Sequence, residues 1–404
     1  MKLRTQRDSH QWMLDLALNL TGRVQNFEIE EAEHAGHPKN YRQIPKLQAE
    51  RADRYAATAK AYEVKGYKET AIELYYSAAM DYRLAQHPIF YDDHPRKIEL
   101  HRKLSECIDR IIALSSYRIE RVEIPFDGSQ IQCLLYLHPG GEPRPCIVYV
   151  PGMDQTKEVF PNPAQNLPLE RGLHCLTMDG PGQGVSNLRK IRAVGDNYER
   201  AGKAVIDYLQ GRPEILSDRI ALYGISMGSF WSTRIAAYDE RVAALCAGVA
   251  CFNPNNTIFS QSSPRFKQMF MYMAGMDDER EFDAVVEKMH CRGYGKKVKC
   301  PTLLVTGEFD PLAPLEDTLA LFAELSPPKE LWVFEDEYHP LWKLEGNGGL
   351  GIHQPVCDWL STVLKGDGLP KGHTRKAYIR RNGFGPWGEG TEFTRELLPK
   401  HPYF

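Results

Sequence analysis

Between Arg51 and Leu114 the apolar positions recur every three or four residues. Tyr55, Ala59 and Tyr62 share one face, then Ala71, Leu74, Tyr75, Ala78 and Tyr82, then Leu100, Leu104, Cys107 and Ile111. That spacing predicts at least three amphipathic helices before any strand. Gly66 and the pairs His87-Pro88 and His94-Pro95 separate them, because the residue before a proline is pushed out of helical conformation. The middle pair resembles a tetratricopeptide hairpin, with small residues alternating with aromatics, yet no second copy follows at that period. A lone hairpin lacks the stacked neighbours that stabilise a solenoid, so these helices are expected to rest on another domain as a cap.

After Ser115-Ser116 the period falls to two. Val122 and Ile124, the turn Asp127-Gly128, then Ile131, Cys133, Leu135 and Leu137 predict an antiparallel hairpin. Short apolar runs come next: 146–150, 173–178, 220–223, 242–249, 302–305 and 331–334, with helical stretches between them, among them 198–209. Runs without a polar face suit strands covered on both sides, and their alternation with helices implies right-handed crossovers and a mostly parallel sheet.

One junction carries chemistry. The run Ile220-Ala221-Leu222-Tyr223 passes directly into Gly224-Ile225-Ser226-Met227-Gly228, and a helical pattern with Phe230, Ile235 and Ala236 on one side follows. A G-x-S-x-G between strand and helix is the pattern of a nucleophile elbow, where a side chain at either glycine would meet the neighbouring strand or helix. The pentapeptide alone also fits a Gly-Ser turn that opens an ordinary helix. Its context, with the hairpin ahead and the strand-helix alternation around it, predicts an α/β fold of the α/β-hydrolase type, with a mostly parallel central sheet and an N-terminal helical cap domain.

The expected domains are a cap at 1–115, a core at 116–371 and a tail at 372–404. An insertion at about 252–299, polar at FNPNNTIFSQSS and helical at FKQMFMYM, is expected to form a lid over the carboxyl end of the sheet. The tail, rich in Gly, Arg and aromatics, is expected beyond the last helix, wrapping the core or a second subunit.

A serine hydroxyl is almost wholly protonated at neutral pH and needs a base, which in this fold follows in the chain order serine, acid, histidine. After the run 302–305 comes Thr306-Gly307-Glu308-Phe309-Asp310-Pro311, and after 331–334 comes Glu335-Asp336-Glu337-Tyr338-His339-Pro340. Both loops lie where the fold places its acid and its base. Asp310 is the expected acid, with Glu308 as competitor and an Asp-Pro turn as its plain reading. His339 is the expected base, with His353 as competitor at the start of the final helix. The oxyanion donors are expected to be the amides of Met153, after Pro151-Gly152, and Met227. Asp154 beside them reads either as a turn or cap residue or as a polar group near substrate.

Composition narrows the partners. Of 404 residues, 42% are hydrophobic and 25% charged, and the formal net charge is −3, so no long-range field favours nucleic acid or an anionic membrane. The partner expected is a small molecule, neutral or weakly polar. Nine scattered cysteines, without a C-x-x-C, suit reduced thiols in a cytoplasmic protein. The polar start MKLRTQRDSHQW lacks the apolar stretch of a signal peptide, and no apolar run is long enough to span a bilayer. No H-E-x-x-H or clustered Cys/His spacing supports a metal, and Asp179-Gly180-Pro181-Gly182-Gln183-Gly184 lacks the lysine of a phosphate loop, so no cofactor is expected.

Taken together, PGMDQTKE at 151–158, DGPGQG at 179–184, GISMG at 224–228 and the helical N-terminal third resemble the branch of α/β-hydrolases that holds 2,6-dihydroxypseudooxynicotine hydrolase and the fungal hydrolases that shorten polyketide chains. The resemblance covers roughly residues 50–365. It implies hydrolysis of a carbon-carbon bond next to a ketone, in an aromatic or polyketide-like substrate held between cap and core, often in a homodimer. By position it implies Ser226, Asp310 and His339 as the triad and Met153 and Met227 at the oxyanion hole. One departure stands out: the nicotine enzyme uses an additional acid after its sixth strand, whereas 249–263 here holds no carboxylate. A carbon leaving group must be protonated as it departs, so ester or lactone hydrolysis stays open beside carbon-carbon cleavage. Acyl transfer by the same triad, and a binding protein on a hydrolase fold, are the other classes.

Overall fold

The structure, a computed structural model, describes residues 43–91, 93–366 and 368–381. The parts of the expected cap and tail at 1–42 and 382–404 lie outside the described residues. Among the described residues three helices come first: α1 (Ile44–Val64), α2 (Lys68–Gln86) and α3 (Pro95–Leu114). Pro45 occupies the first turn of α1, where its missing N–H costs nothing. At α3, His94 Nδ1 accepts the Arg96 amide at 3.2 Å and Pro95 starts the helix, so the His-Pro pair read as a break is an N-cap. The inner faces are those that the spacing indicates: Ala71, Tyr75, Ala78, Tyr82, Leu100, Leu104, Cys107 and Ile111 are all buried.

The sheet follows. Strand β1 (Arg118–Phe126) pairs antiparallel with β2 (Ser129–Leu137) across the Asp127-Gly128 turn, and β2 runs antiparallel to β4 (His174–Met178). Strands β3 (Arg144–Val150), β5 (Ile215–Ile225), β6 (Val242–Gly248), β7 (Thr302–Gly307), β8 (Lys329–Phe334) and β9 (Thr374–Ile379) complete, among the described residues, nine strands in the order 1-2-4-3-5-6-7-8-9, parallel from β4 onward. The longer helices between them are α4 (Asn197–Gln210), α5 (Met227–Tyr238), α6 (Pro264–Ala274), α7 (Glu279–Val286), α8 (Leu315–Glu324) and α9 (His353–Lys365).

Alternate residues of the central strands feed two cores. Val148, Val150 and Leu222 join α4 and the insertion helices on one face, while Ile147, Tyr149, Ala221 and Tyr223 join the cap helices and α9 on the other. Because both faces are covered, the strands read as continuous apolar runs. The insertion is packed: Met269, Phe270, Met271, Tyr272 and Met273 of α6 are buried.

One strand differs from the sequence reading. Residues 374–379, set apart above within a tail from 372, pair in parallel register with β8 from Lys329↔Thr374 to Phe334↔Ile379. Only Ala377, Tyr378 and Ile379 are buried, with half-exposed Arg375 and Lys376 before them. An edge strand needs a short apolar half, and three residues carry too little pattern to separate a strand from a loop.

Candidate active site

Strand β5 delivers Ser226 to the start of α5 with φ 55° and ψ −125°, a conformation that L residues rarely adopt and that is held only where the surroundings enforce it. They do so from both sides. The Ser226 amide donates to Gly248 O at 3.0 Å, the Ser229 hydroxyl donates to Ser226 O, and the Cys251 amide donates to Ser229 Oγ at 3.0 Å. The glycines are a steric necessity: a Cβ on Gly224 would lie 2.2 Å from Gly228 O, and one on Gly228 would lie 2.0 Å from Val150 O.

Asp310 leaves the end of β7 and His339 the loop after β8. His339 Nδ1 lies 2.9 Å from Asp310 Oδ2. A carboxylate only accepts, so the ring donates from Nδ1 and Nε2 carries the lone pair. Asp310 is buried, and its other oxygen accepts the amides of Leu312 at 2.9 Å and Ala313 at 3.2 Å, which holds the carboxylate in place.

The competing residues are engaged elsewhere. Glu308 accepts the Tyr378 hydroxyl at 2.8 Å and the Asp336 amide at 3.1 Å, tying the edge strand to its neighbour. His353 stacks on Phe160 at 4.9 Å between ring centres and meets the Tyr223 hydroxyl at 2.8 Å, and burial lowers its pKa to about 4.

Ser226 and His339 are not hydrogen-bonded to each other among the described residues. The polar neighbour of the Ser226 hydroxyl is Cys251, with Sγ at 3.8 Å. Val249 turns the chain there with φ 52°, a strained value for a β-branched residue, and its amide is held by Val305 O at 2.7 Å. Burial, then the charges of Asp310 and Asp154, push the Cys251 thiol well above its usual pKa, so it faces Ser226 protonated. Cys251 escaped the sequence reading, which searched that stretch for carboxylates.

The loop after β3 abuts the elbow: a Cβ on Gly152 would lie 3.2 Å from Ile225 O and 3.3 Å from Ser226 Cβ. Among the described residues, the amides of Met153 and Met227 have no acceptor. Met227 follows the serine and Met153 lies on the abutting loop, and amides without an acceptor in such positions are the kind of donor that a developing oxyanion requires. The cap holds this loop from above, since Arg83 donates to Asp154 O at 2.9 Å and the Tyr76 hydroxyl to Val159 O at 2.8 Å. A cleft of about 480 Å³, counting space open to solvent, lies between α2, this loop and α6, with Arg83, Met153, Asp154, Gln183, Tyr272 and Met273 in its walls.

Beneath the loop sits a buried ionic cluster that the sequence reading missed. Lys157 Nζ lies 2.8 Å from Asp179 Oδ2 and 2.6 Å from Glu158 Oε1. Asp179 also accepts the amides of Lys157 and Val185, each at 2.9 Å, so the glycine-rich run 179–184 is bound to the loop after β3 through its first residue. Burial raises the Asp179 pKa, whereas the Lys157 ammonium holds Glu158 down in spite of its burial. All nine cysteines are free and buried. Among the described residues no helix is long and apolar enough to cross a membrane, and no three His, Cys, Asp or Glu side chains are grouped to hold a metal ion.

Comparison with known proteins agrees with this architecture. Residues 180–367, which carry Ser226, Asp310 and His339, match the prolyl oligopeptidase family. The chain is 28% identical over 323 residues to 2,6-dihydropseudooxynicotine hydrolase of Paenarthrobacter nicotinovorans, covering 78% of this chain and 82% of that one. It is 27% identical over 299 residues to hydrolase acrC of Aspergillus aculeatus, covering 60% and 69%, and 26% identical over 330 residues to hydrolase LUC6 of a Fusarium species, covering 67% and 76%. The crystal structure of 2,6-dihydroxy-pseudo-oxynicotine hydrolase superposes with a TM-score of 0.70 at 24% identity over 90% of this chain and 99% of that one, a likeness of fold. The chain has the α/β-hydrolase fold with an N-terminal helical region, and it is similar over most of its length to these hydrolases.

Proposed function

We propose that this hydrolase cleaves a carbon-carbon bond next to a ketone in an aromatic or polyketide-like small molecule, with Ser226 as nucleophile, His339 as base and Asp310 as the acid that orients it. The observation that carries the reading is the Asp310–His339 hydrogen bond in the two loops that follow the elbow, with Ser226 strained at its apex. The substrate carbonyl carbon is attacked by Ser226 Oγ as His339 Nε2 takes its proton, and the oxyanion is met by the Met153 and Met227 amides. As the carbon-carbon bond breaks, the imidazolium returns the proton to the departing carbanion. Water, activated by the same imidazole, then adds to the acyl-enzyme carbonyl and releases a carboxylic acid and free Ser226. Substrate lies in the cleft between α2, the loop after β3 and α6, with Asp154 as a polar contact. The nine buried free thiols suit a reducing, cytoplasmic compartment.

Ester or lactone hydrolysis by the same groups is the second reading, and Cys251 favours it. The group that reaches Ser226 from the end of β6 is a protonated thiol, a poor additional proton donor to carbon, whereas an ester's alkoxide, protonated by the imidazolium alone, leaves more readily than a carbanion.

Treatment with a fluorophosphonate should add one mass label, at Ser226, and Ser226→Ala should leave less than about a hundredth of turnover while the protein stays folded. Labelling elsewhere, or residual turnover above that level, excludes the covalent route. Vinylogous 1,5-diketones and p-nitrophenyl esters, compared by kcat/KM, separate the two bond classes.

A further inference from the structure

The oxyanion donor on the loop after β3 depends on where that loop's carbonyls point, and one buried side chain holds three of them. Gln183, 2% exposed, donates from Nε2 to Gly152 O at 2.6 Å and to Pro151 O and Gln155 O at 3.3 Å each. Its Oε1 accepts the hydroxyl of Tyr198, so the amide is oriented from both ends: three carbonyls on one side can be met only by the NH2 group. Tyr198 in turn stacks flat on Trp231 of the elbow helix, with ring centres 4.1 Å apart and planes 1° from parallel. No residue larger than glycine fits at 180, because a Cβ there would lie 2.2 Å from the Tyr198 hydroxyl.

The loop's own side chain completes the arrangement. Gln155 Oε1 accepts the Gly152 amide at 3.2 Å and the Tyr149 hydroxyl at 2.9 Å. Gly152 is thereby used at both its amide and its carbonyl, and the next residue, Met153, has an amide with no acceptor among the described residues. The chain of contacts joins helix α5, which supplies the Met227 amide, to the loop that supplies the Met153 amide.

We propose that Gln183 is a positioning residue for the oxyanion hole, setting the spacing between its two amide donors by linking the loop after β3 to the elbow helix through Tyr198 and Trp231. This rests on the serine-nucleophile reading given above. A donor displaced by about 1 Å forfeits most of its gain in the transition state while ground-state binding hardly changes, so the effect falls on kcat and on acylation.

The test uses the full chain with two probes, a fluorophosphonate and p-nitrophenyl butyrate. Gln183→Met keeps the volume and removes the hydrogen bonds. Tyr198→Phe removes only the bond to Oε1 and keeps the stack on Trp231. The second-order rate of Ser226 phosphonylation should fall roughly 10- to 100-fold in Gln183→Met and several-fold in Tyr198→Phe, with kcat falling in step and KM within about threefold of wild type. A purely structural role would instead lower the melting temperature and leave the folded fraction reacting at the wild-type rate. Wild-type phosphonylation in folded Gln183→Met overturns the proposal. Should Gln183→Met not fold, wild-type phosphonylation in Tyr198→Phe does the same. A wild-type enzyme left unlabelled at Ser226, or full turnover in Ser226→Ala, refutes the serine reading itself, an outcome distinct from either.

Discussion

Replacing Lys157 by methionine isolates the energetics of the charge cluster under the active-site loop. Lys157, Glu158 and Asp179 are each at most 1% exposed, and the ammonium stands 2.6 Å and 2.8 Å from the two carboxylates. Methionine fills much of the same space, so little cavity opens; what remains is two buried carboxylates with no cation. Removing one partner of a buried ion pair typically costs about 3–5 kcal/mol, because the orphaned charge keeps its desolvation penalty. The loss should depend on pH with a definite sign. In the variant the orphaned carboxyls have folded-state pKa values above their unfolded ones, so the native state binds more protons and stability rises, relative to wild type, as pH falls through the carboxyl range. Urea unfolding at pH 8 and at pH 5.5 reads this directly: the gap between variant and wild type should be about 3–5 kcal/mol at the higher pH and visibly smaller at the lower one. Adding Asp179→Asn should recover part of the loss. A gap below about 1 kcal/mol at both pH values would refute the reasoning, since it would mean that water reaches the cluster and screens it.

Three further outcomes are expected. Gly228→Ala would set a Cβ 2.0 Å from Val150 O and 2.8 Å from Pro151 O, so α5 must lift off β3; the cost should reach about 3 kcal/mol with loss of activity, whereas Gly141→Ala, with nothing within 4 Å, should shift the denaturation midpoint hardly at all. Asp310→Asn should lower kcat for p-nitrophenyl butyrate by roughly 10³- to 10⁴-fold with KM little changed, because the amide favours the wrong imidazole tautomer. His174 is 2% exposed; its Nδ1 accepts the His138 amide at 2.9 Å, its Nε2 faces Glu214 O at 3.0 Å, and burial lowers its pKa from 6.5 to about 4. Because the unfolded chain binds the proton first, about 3 kcal/mol of stability should be lost as pH falls from 6.5 to 4, and His174→Asn should flatten that part of the stability–pH curve.

How far the chain could be read in advance depended on whether a residue's role is local. The cap helices were legible because their buried face repeats every three or four residues, and the central strands because both faces are apolar. The elbow was legible because its glycines are demanded by contacts within a few residues along the chain and one neighbouring strand. Strand β9 was not, since its partner β8 lies forty-five residues earlier and its apolar half is three residues long. Lys157 and Glu158 look like an ordinary solvated pair in sequence; only the approach of Asp179 from the end of β4 buries them. Cys251 looks like one more small hydrophobe until Val249 turns it toward Ser226.

By itself the sequence determined the order and type of the elements, the glycines that let a serine sit at a strained turn, and the loops in which an acid and a histidine follow it, because spacing and local sterics decide those. Only the tertiary structure decided which acid meets which histidine, which amides stay open beside the serine, and that Gln183 and the Lys157 cluster hold the loop carrying one of them. Those choices are hydrogen bonds between segments far apart in the chain, and no local pattern records who meets whom.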